Sequence, residues 1–197
     1  MNGANSVIMI HRELWNSRYQ GLASFPSPAK ILLEYAHLLP RTGIALDLAC
    51  GVGTNAIFLA QHGLETYAWD LSEIAIQRLQ NRSQDLLIYT EVRDVVLCPP
   101  PCNTFDVIVV CHFLERSLVP KLINALRPSG LLFYQTFTRT VVQHEYGPRN
   151  PEYRLADNEL LWLCRELQCV VYREEGTLGD IQKGFRNEAM FIGKRKI

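Results

Sequence analysis

Apolar residues in the first two thirds of the chain fall into five short runs that helical patterns separate. The runs predict strands at residues 44–49, 65–69, 86–91, 105–111 and 131–137. Helices are predicted between them at residues 55–62, 72–82 and 118–126. The run at 105–111 is almost wholly apolar, which is typical of a central strand in a parallel sheet.

Helical patterns also flank this alternation at both ends of the chain. Near the amino terminus, helices are predicted at residues 12–20 and 28–39, and Ser27 followed by Pro28 forms the start signal of the second. Near the carboxyl terminus, Asp157 is predicted to cap a helix that runs to about residue 167.

Two further strand patterns close the chain at residues 170–174 and 189–194, and the second has the pattern of an edge strand. Five β/α units followed by two strands predict a doubly wound α/β sheet with helices on both faces, a three-layer αβα architecture. We expect one domain over residues 1–197. Its parts are a helical cap at 1–40, a cofactor-binding core at 41–137, and substrate loops with closing strands at 138–197.

Composition narrows the class of protein. The chain has 197 residues, of which 20 are basic and 20 are acidic, so no general field attracts it to nucleic acid or to an acidic membrane. We therefore expect a small-molecule substrate, no nucleic-acid or membrane partner, and a monomer or homodimer. The sequence shows no signal-peptide pattern and no membrane-spanning run, and its six cysteines are scattered, which favours reduced thiols in the cytoplasm.

A glycine-rich turn after the first predicted strand carries the candidate chemistry. Gly51 and Gly53 allow backbone to approach a ligand, and Asp70, at the end of the second strand, suits hydrogen bonds to ribose hydroxyls. With Ala56, the turn also fits a dinucleotide site, so an NAD(P)-dependent oxidoreductase is one alternative. Asp47 favours another ligand, because a carboxylate before the first glycine suits a cationic, phosphate-free cofactor such as S-adenosylmethionine (SAM).

The motif from Asp47 to Gly53 and four later motifs resemble the class I SAM-dependent methyltransferases, from about residue 15 to residue 195. The later motifs are Tyr67-Ala68-Trp69-Asp70-Leu71-Ser72, Arg93-Asp94-Val95, Phe105-Asp106-Val107-Ile108-Val109-Val110 and Leu126-Arg127-Pro128-Ser129-Gly130-Leu131. The resemblance implies a Rossmann-like seven-stranded sheet of order 3-2-1-4-5-7-6, with the last strand antiparallel, and SAM as cofactor. The implied cofactor contacts are Asp47, Ala49, Cys50, Gly51, Gly53, Asn55, Asp70, Leu71, Asp94, Val95 and Cys111.

Some of these residues also have simpler explanations. The sole role of Asp94 could be to cap the loop that precedes the three prolines. Cys50 could be present because a small side chain fits there. The opening Trp15-x-x-Arg18-Tyr19 is similar to the tellurite-resistance and thiopurine-methyltransferase-like branch. That resemblance implies an N-terminal helix folded over the cofactor, with Arg18 or Tyr19 near its carboxylate. A surface arginine and a packed tyrosine are the alternative.

Candidates for the methyl-acceptor side lie after the fourth strand and in the late loops. His112 directly follows the fourth strand and could act as a base or a hydrogen-bond donor, or could only pack. Lys183 and Arg186 stand in the loop between the last two strands, where the resemblance implies an acceptor pocket; a solvated hairpin is the alternative. Arg149 is a further candidate from the long polar segment at 138–154.

Two pairs of residues on the strands of the predicted sheet are further candidates for the site. Tyr134 and Gln135 are neighbours on the fifth strand, so alternation directs only one of them towards the site, and Tyr134 is expected in the core. Cys50 and Cys111 end neighbouring strands, and one hypothesis is a thiol pair that binds a metalloid. The cysteines that flank the prolines at 99–101 lack a second ligand pair, so no metal site is predicted.

The sequence therefore predicts a SAM-dependent methyltransferase that acts on a small molecule or a metalloid, with the acceptor atom (S, Se/Te, O or N) left open. An NAD(P)-dependent oxidoreductase and a non-catalytic SAM-binding module are the alternatives. Methylation of RNA or protein is disfavoured, because Cys111-His112-Phe113-Leu114 stands where amino-group methyltransferases have an Asn-Pro-Pro-Tyr-type motif.

Overall fold

The computed structural model describes residues 3–142 and 147–197, with backbone only for residues 3–8. Within these ranges seven strands form one sheet in the order β3-β2-β1-β4-β5-β7-β6, which confirms the predicted fold class and strand order. The strands are β1 (Ile44–Leu48), β2 (Glu65–Asp70), β3 (Ile88–Val92), β4 (Phe105–Cys111), β5 (Leu126–Phe137), β6 (Gln168–Arg173) and β7 (Glu188–Lys194). The α-helices are α1 (Gly3–Gln20), α2 (Lys30–Tyr35), α3 (Thr54–Gln61), α4 (Glu73–Arg82), α5 (Val119–Ala125) and α6 (Glu159–Leu163).

The centre of the sheet is parallel, and its carboxyl ends create the site. β1 pairs in parallel with β2 on one side and with β4 on the other, and Asp47 stands beside Ala68 and Val109. The strand order reverses at this point, because β1 leads outward to β2 and β3 whereas β4 leads to β5. In sheets of this kind ligands bind at the carboxyl ends of the strands, at the point of reversal.

The last strand, β7, corrects one expectation. Residues 189–194 were expected to form an edge strand, but β7 lies between β5 and β6 and pairs antiparallel with both. Six of its seven residues are buried, because helices cover both faces of the sheet there. The edge is instead β6, whose first three residues are exposed.

Alternation along the strands fills two cores, one on each face of the sheet. Leu46, Ile108 and Tyr134 point to the face that α5 and α6 cover. Val109 and Phe133 point to the opposite face, which α2 and α3 cover. Each strand therefore sends successive side chains into different layers, as the predicted three-layer architecture requires.

Three helix signals in the sequence were placed wrongly. α2 begins at Lys30 with Ala29 as its N-cap, and not at Ser27 and Pro28. α6 begins after Asn158, which has a left-handed φ of 60°, and ends at Leu163, well before residue 167. Asp157 is not its cap, because the carboxylate accepts a hydrogen bond from the Thr140 hydroxyl at 2.9 Å. None of the helices in the described ranges is long and apolar enough to cross a membrane.

Helix α1 is tied to α4 and so lies beside the carboxyl ends of β1 and β2. The Ser72 hydroxyl donates to the Asn16 side chain at 2.6 Å and also accepts from the Ala75 N–H as the N-cap of α4. Arg78 of α4 donates to the carbonyl oxygens of Tyr19 and Leu22. These bonds fix the last turn of α1 over the glycine-rich turn, the place that the resemblance implied for an N-terminal helix.

Candidate functional site

The turn between β1 and α3 has a conformation that its two glycines make possible. Gly51 and Gly53 have φ values of 53° and 73°, in the left-handed region that disfavours side chains. A Cβ on Gly53 would lie 2.3 Å from a methyl carbon of Leu79, so glycine at this position lets α4 pack against the turn. A Cβ on Gly51 would lie 2.7 Å from the Tyr19 hydroxyl. The bare backbone thus leaves room for α1 and α4 on either side.

Asp47 lies beneath this turn and is 1% exposed. Its Oδ2 accepts a hydrogen bond from the Ala56 N–H at 2.9 Å, in the first turn of α3, whereas no described residue bonds Oδ1. Burial raises the pKa of Asp47 to about 8, although the bond from Ala56 opposes this effect. A nearby positive charge would favour the ionised form. This orphaned oxygen therefore fits a cationic cofactor and does not fit a pyrophosphate.

Asp70 ends β2 and closes the turn from the other side. Its Oδ2 accepts from the Gly51 N–H at 2.7 Å, and its Oδ1 accepts from the Ser72 N–H at 2.8 Å. Burial raises the pKa of Asp70, while these backbone donors oppose the rise. Each carboxylate oxygen can accept a second bond, so hydroxyl groups of a ligand can still be held.

A cleft of about 390 Å³ opens above the turn. It is lined by most of the predicted cofactor residues, namely Ala49, Cys50, Gly51, Asn55, Asp70, Leu71, Asp94, Val95 and Cys111. Asp47 and Gly53 are not on its wall, because Asp47 lies beneath the turn and Gly53 is in the part of the turn that packs against Leu79. We call this cleft the first cavity.

Asp94 combines both of the interpretations that the sequence left open. Its Oδ1 accepts hydrogen bonds from the N–H groups of Val96 and Leu97 at 2.9 and 3.1 Å, so the carboxylate caps the loop. Asp94 and Val95 also line the first cavity. Because both bonds fall on Oδ1, the second oxygen of Asp94 retains its capacity to bind a ligand.

The last turns of α1 form the outer wall of the first cavity. Tyr19, Trp15 and His11 line it, whereas Arg18 does not. The Arg18 guanidinium lies on the exposed side of the helix, 4.9 Å from the centre of the Trp15 ring. Arg18 is thus a surface residue, whereas its neighbour Tyr19 faces the first cavity. Trp15 and His11 were not predicted, because their placement depends on the docking of α1.

The thiols of Cys50 and Cys111 are held as neutral groups. Burial raises the pKa of both well above the usual value, and the charge of Asp47 adds to the effect. A metalloid binds thiolates, so this environment opposes the loss of protons that such a pair would need. The hypothesis of a metalloid-binding thiol pair gains no support from this environment, although both residues line the first cavity.

A second cavity of about 490 Å³ lies next to the first. The two share Pro26, Ser27, Ala29 and His112 in their walls. Lys183 also lines the second cavity, but its side chain is 83% exposed and lies 3.3 Å from the carboxylate of Asp180. Arg149 is exposed and lines neither cavity, so the described part of the chain does not bring it to the site.

Arg186 also lines the second cavity, where its guanidinium is bonded to its own loop. Its guanidinium donates to five backbone carbonyl oxygens of its own loop, at 2.7 to 3.2 Å; they belong to Glu175, Gly176, Leu178, Asp180 and Lys183. A guanidinium has five N–H groups, so all of them are used within the protein. Arg186 therefore closes the loop at 175–186 and has no donor left for an anionic substrate.

A hydrogen-bond chain leads from His112 into the protein. The His112 Nε2 lies 3.1 Å from the Oε2 of Glu188, which is 3% exposed, and the same oxygen accepts from the Gln135 side chain at 2.6 Å. Tyr134 packs into the core, as predicted, so alternation turns Gln135 towards the cavity. Glu188 was missed, because 76 residues separate it from His112 and the sequence offers no spacing that links them.

Comparison with known proteins agrees with this geometry. The family described as "Methyltransferase domain" matches residues 19–171. The chain belongs to this family. The "Probable S-adenosyl-L-methionine-dependent methyltransferase TehB" of Haemophilus influenzae is 28% identical over 149 residues, which are 72% of this chain and 51% of that protein. The chain spans about half the length of the curated relatives it matches.

Solved structures of other proteins share the fold. The crystal structure of TehB from Haemophilus influenzae superimposes with a TM-score of 0.66 at 20% identity and covers 94% of this chain and 67% of that one. A TehB-like SAM-dependent methyltransferase from Corynebacterium glutamicum gives a TM-score of 0.66 at 20% identity. The superposition covers 95% of this chain and 99% of that one. The predicted resemblance to class I methyltransferases and the predicted cofactor, SAM, are confirmed at the level of the family.

Proposed function

We propose that the protein transfers a methyl group from SAM in the first cavity to a small-molecule acceptor in the second. The observation that carries the proposal is that the two cavities share a wall. His112 and Ser27 belong to this wall and line both cavities. Methyl transfer from a sulfonium is an in-line displacement, so donor and acceptor must meet along one line in a site that excludes water. Two contiguous cavities provide such a line.

The residues of the first cavity have distinct tasks in this proposal. Asp70 accepts bonds from the ribose hydroxyls, and Asp94 and Val95 receive the adenine. The turn at Gly51 faces the amino-acid part of the cofactor, and Asp47 stabilises its positive charge from below. SAM supplies the activated methyl group, so the protein mainly has to bind, align and exclude water.

Asp47 and the second cavity weigh against the two alternative functions. A dinucleotide brings a pyrophosphate, which a buried carboxylate under the turn repels. A non-catalytic SAM-binding module has no need of a second cavity that shares a wall with the first. An acceptor held there distinguishes a transferase from such a module.

Calorimetry and a transfer assay together test the proposal. We expect S-adenosylhomocysteine to bind and NAD(P) to give no heat. With methyl-labelled SAM, label should pass to at least one member of a panel of catechol, a small thiol and tellurite. Binding of NAD(P) without binding of S-adenosylhomocysteine would exclude a methyltransferase, and cofactor binding without any transfer would favour the non-catalytic module.

Several expectations from the sequence stay predictions. They are the division into a cap at 1–40, a core at 41–137 and substrate loops at 138–197, a cytoplasmic location, a monomer or homodimer, and the absence of a nucleic-acid partner. Size-exclusion chromatography with light scattering tests the oligomeric state.

A further inference from the structure

The hydrogen-bond chain behind His112 has a direction, and its direction is set at α2. The N–H of Ile31, in the first turn of α2, donates to the Oε1 of Gln135 at 2.8 Å. A backbone N–H can only donate, so the amide of Gln135 must present its oxygen to Ile31. The Gln135 NH₂ group then faces Glu188, 2.6 Å from its Oε2. An NH₂ group in turn requires an acceptor, which Oε2 of Glu188 provides.

The same logic extends to the imidazole of His112. A carboxylate oxygen that accepts from Gln135 also accepts from the nitrogen on its other side, so Nε2 of His112 carries its proton towards Glu188. In the neutral ring the lone pair then belongs to Nδ1. The His112 ring stacks on Phe137 with 4.7 Å between centroids, which restricts its rotation. Donors and acceptors thus select one tautomer of His112.

The position of His112 brings this lone pair to the meeting point of the cavities. His112 directly follows Cys111, the last residue of β4, and its left-handed φ of 55° turns the chain away from the strand. Its side chain is 42% exposed and lines both cavities. A ring nitrogen of a half-exposed residue that lines both cavities can take a proton from an acceptor held between them.

We propose that Nδ1 of His112 is the general base for a neutral hydroxyl acceptor, and that Glu188 and Gln135 position it. This inference rests on the proposed function. The acceptor oxygen forms a bond to the methyl carbon as the bond from that carbon to sulfur breaks, and the electron pair of the broken bond stays on sulfur. The hydroxyl proton passes to Nδ1, and the carboxylate of Glu188 stabilises the imidazolium.

The charges around the second cavity favour a neutral acceptor over an anion. Its cationic side chains already have partners within the protein. Lys30 lies 3.5 Å from the carboxylate of Glu34, Lys183 pairs with Asp180, and Arg186 is occupied by carbonyl oxygens. The anionic group in its wall is Glu188, and the neighbouring thiol of Cys111 is held neutral by burial.

A general base accelerates transfer only to an acceptor atom that is protonated at the working pH. An oxyanion such as tellurite presents an unprotonated oxygen or a lone pair and gains nothing from Nδ1. A thiol is partly ionised near neutral pH, whereas an ordinary phenol is not. The class of acceptor that needs both a neutral pocket and a base is therefore a hydroxyl compound.

The first experiment measures the tautomer and needs no substrate. In ¹⁵N-labelled full-length protein, the two-bond ¹H–¹⁵N correlations of neutral His112 should show a protonated Nε2 and an unprotonated Nδ1. In Glu188→Gln this preference should weaken, whereas Glu166→Gln, which changes an exposed glutamate, should leave it unchanged. A ring protonated on Nδ1 in the wild-type protein would overturn the proposal.

The second experiment measures transfer to two phenols of different acidity. With catechol, His112→Asn should lower kcat by about 100-fold or more, the range in which general bases act, and the acidic limb of the pH profile should disappear. With 4-nitrocatechol, which is ionised at the assay pH, the loss should be much smaller. The control is His62→Asn, an exposed histidine that lines neither cavity.

The outcomes separate this inference from the proposed function. Equal losses with the two phenols would show that His112 has only a structural part, and transfer to tellurite or a thiol but to neither phenol would exclude the hydroxyl class. Each of these overturns the inference and leaves the methyltransferase proposal intact. Failure to bind S-adenosylhomocysteine would instead remove the proposed function itself.

Discussion

The carboxylate of Asp70 accepts a hydrogen bond of 2.7 Å from the backbone N–H of Gly51, and this bond joins the ends of two adjacent strands. β1 and β2 are neighbours in the sheet, so the glycine-rich turn after one strand is held by a side chain at the end of the other. Asp70 therefore shapes the turn, and in the proposed function it also binds hydroxyl groups of the cofactor.

Replacement of Asp70 by asparagine tests this double dependence. An amide has one acceptor oxygen, so it cannot hold the N–H groups of Gly51 and Ser72 and also bind ribose hydroxyls as a carboxylate does. Hydrogen bonds to charged groups contribute about 1.5–3 kcal/mol, so affinity for S-adenosylhomocysteine should fall by roughly 10- to 100-fold. Isothermal calorimetry measures this affinity. The exposed Asp85→Asn should bind as the wild-type protein does, and equal affinities of all three proteins would contradict the assignment.

Asp47 should make folding stability depend on pH. Its pKa is raised from 3.8 to about 8 in the folded protein, so between these values the folded state holds a proton that the unfolded state has lost. The free energy of unfolding should therefore decrease as pH rises, with a slope approaching about 1.4 kcal/mol per pH unit. Asp47→Asn cannot ionise and should lack this contribution. Urea unfolding at about pH 5, 6 and 7 measures the difference between the two proteins, and parallel curves would refute the expectation.

Gly53 and Gly179 allow a matched test of why glycine is needed in the turn. Their φ values are 73° and 69°, but a Cβ on Gly53 meets Leu79 at 2.3 Å, whereas a Cβ on Gly179 has nothing within 4 Å. Gly179→Ala should lower the free energy of unfolding by about 1 kcal/mol, the cost of a left-handed side chain. Gly53→Ala adds overpacking and should lower it by about 2–5 kcal/mol. Denaturant unfolding measures the free energy of unfolding of both variants. Similar decreases in the two variants would show that backbone strain alone explains the need for glycine at position 53.

Arg186→Lys should loosen the loop at 175–186 without disturbing the cofactor. A lysine has three N–H groups on one nitrogen and cannot reach five carbonyl oxygens that surround a planar fork. We expect faster hydrogen exchange in this loop and an increase of about tenfold in KM for the acceptor, with unchanged affinity for S-adenosylhomocysteine. The control is Arg165→Lys, which changes an exposed arginine two residues after the end of α6. Weaker binding of S-adenosylhomocysteine in Arg186→Lys would mean that the two cavities are not independent.

Local patterns were sufficient for the parallel part of the sheet and for the cofactor side of the site. The apolar run of β4, the glycines after β1 and Asp70 after β2 lie in short segments whose residues meet wherever β/α units stack. The resemblance then supplied Asp94 and Cys111, and both line the first cavity. The placement of these residues could be predicted because it depends on neighbours in sequence and on one known topology.

The acceptor side required contacts that no local pattern encodes. The five partners of Arg186 are backbone carbonyl oxygens, and any residue type supplies one. The hydrogen bond between His112 and Glu188 depends on the antiparallel pairing of β5 with β7, which brings Glu188 beside Phe137. The same pairing explains why β7 is interior although its sequence resembles an edge strand. Long-range strand pairing thus determines both the correction to the fold and the composition of the acceptor site.

The closure of the loop by Arg186 has a consequence for how this scaffold can change its specificity. Because all five hydrogen bonds of the guanidinium end on backbone carbonyl oxygens, the side chains at positions 178, 181 and 182 can be exchanged without loss of any of them. Ile181 and Gln182 nevertheless line the second cavity. A library randomised at these two positions would therefore sample new acceptors on a constant loop path, while the half of the molecule that binds the methyl donor stays untouched.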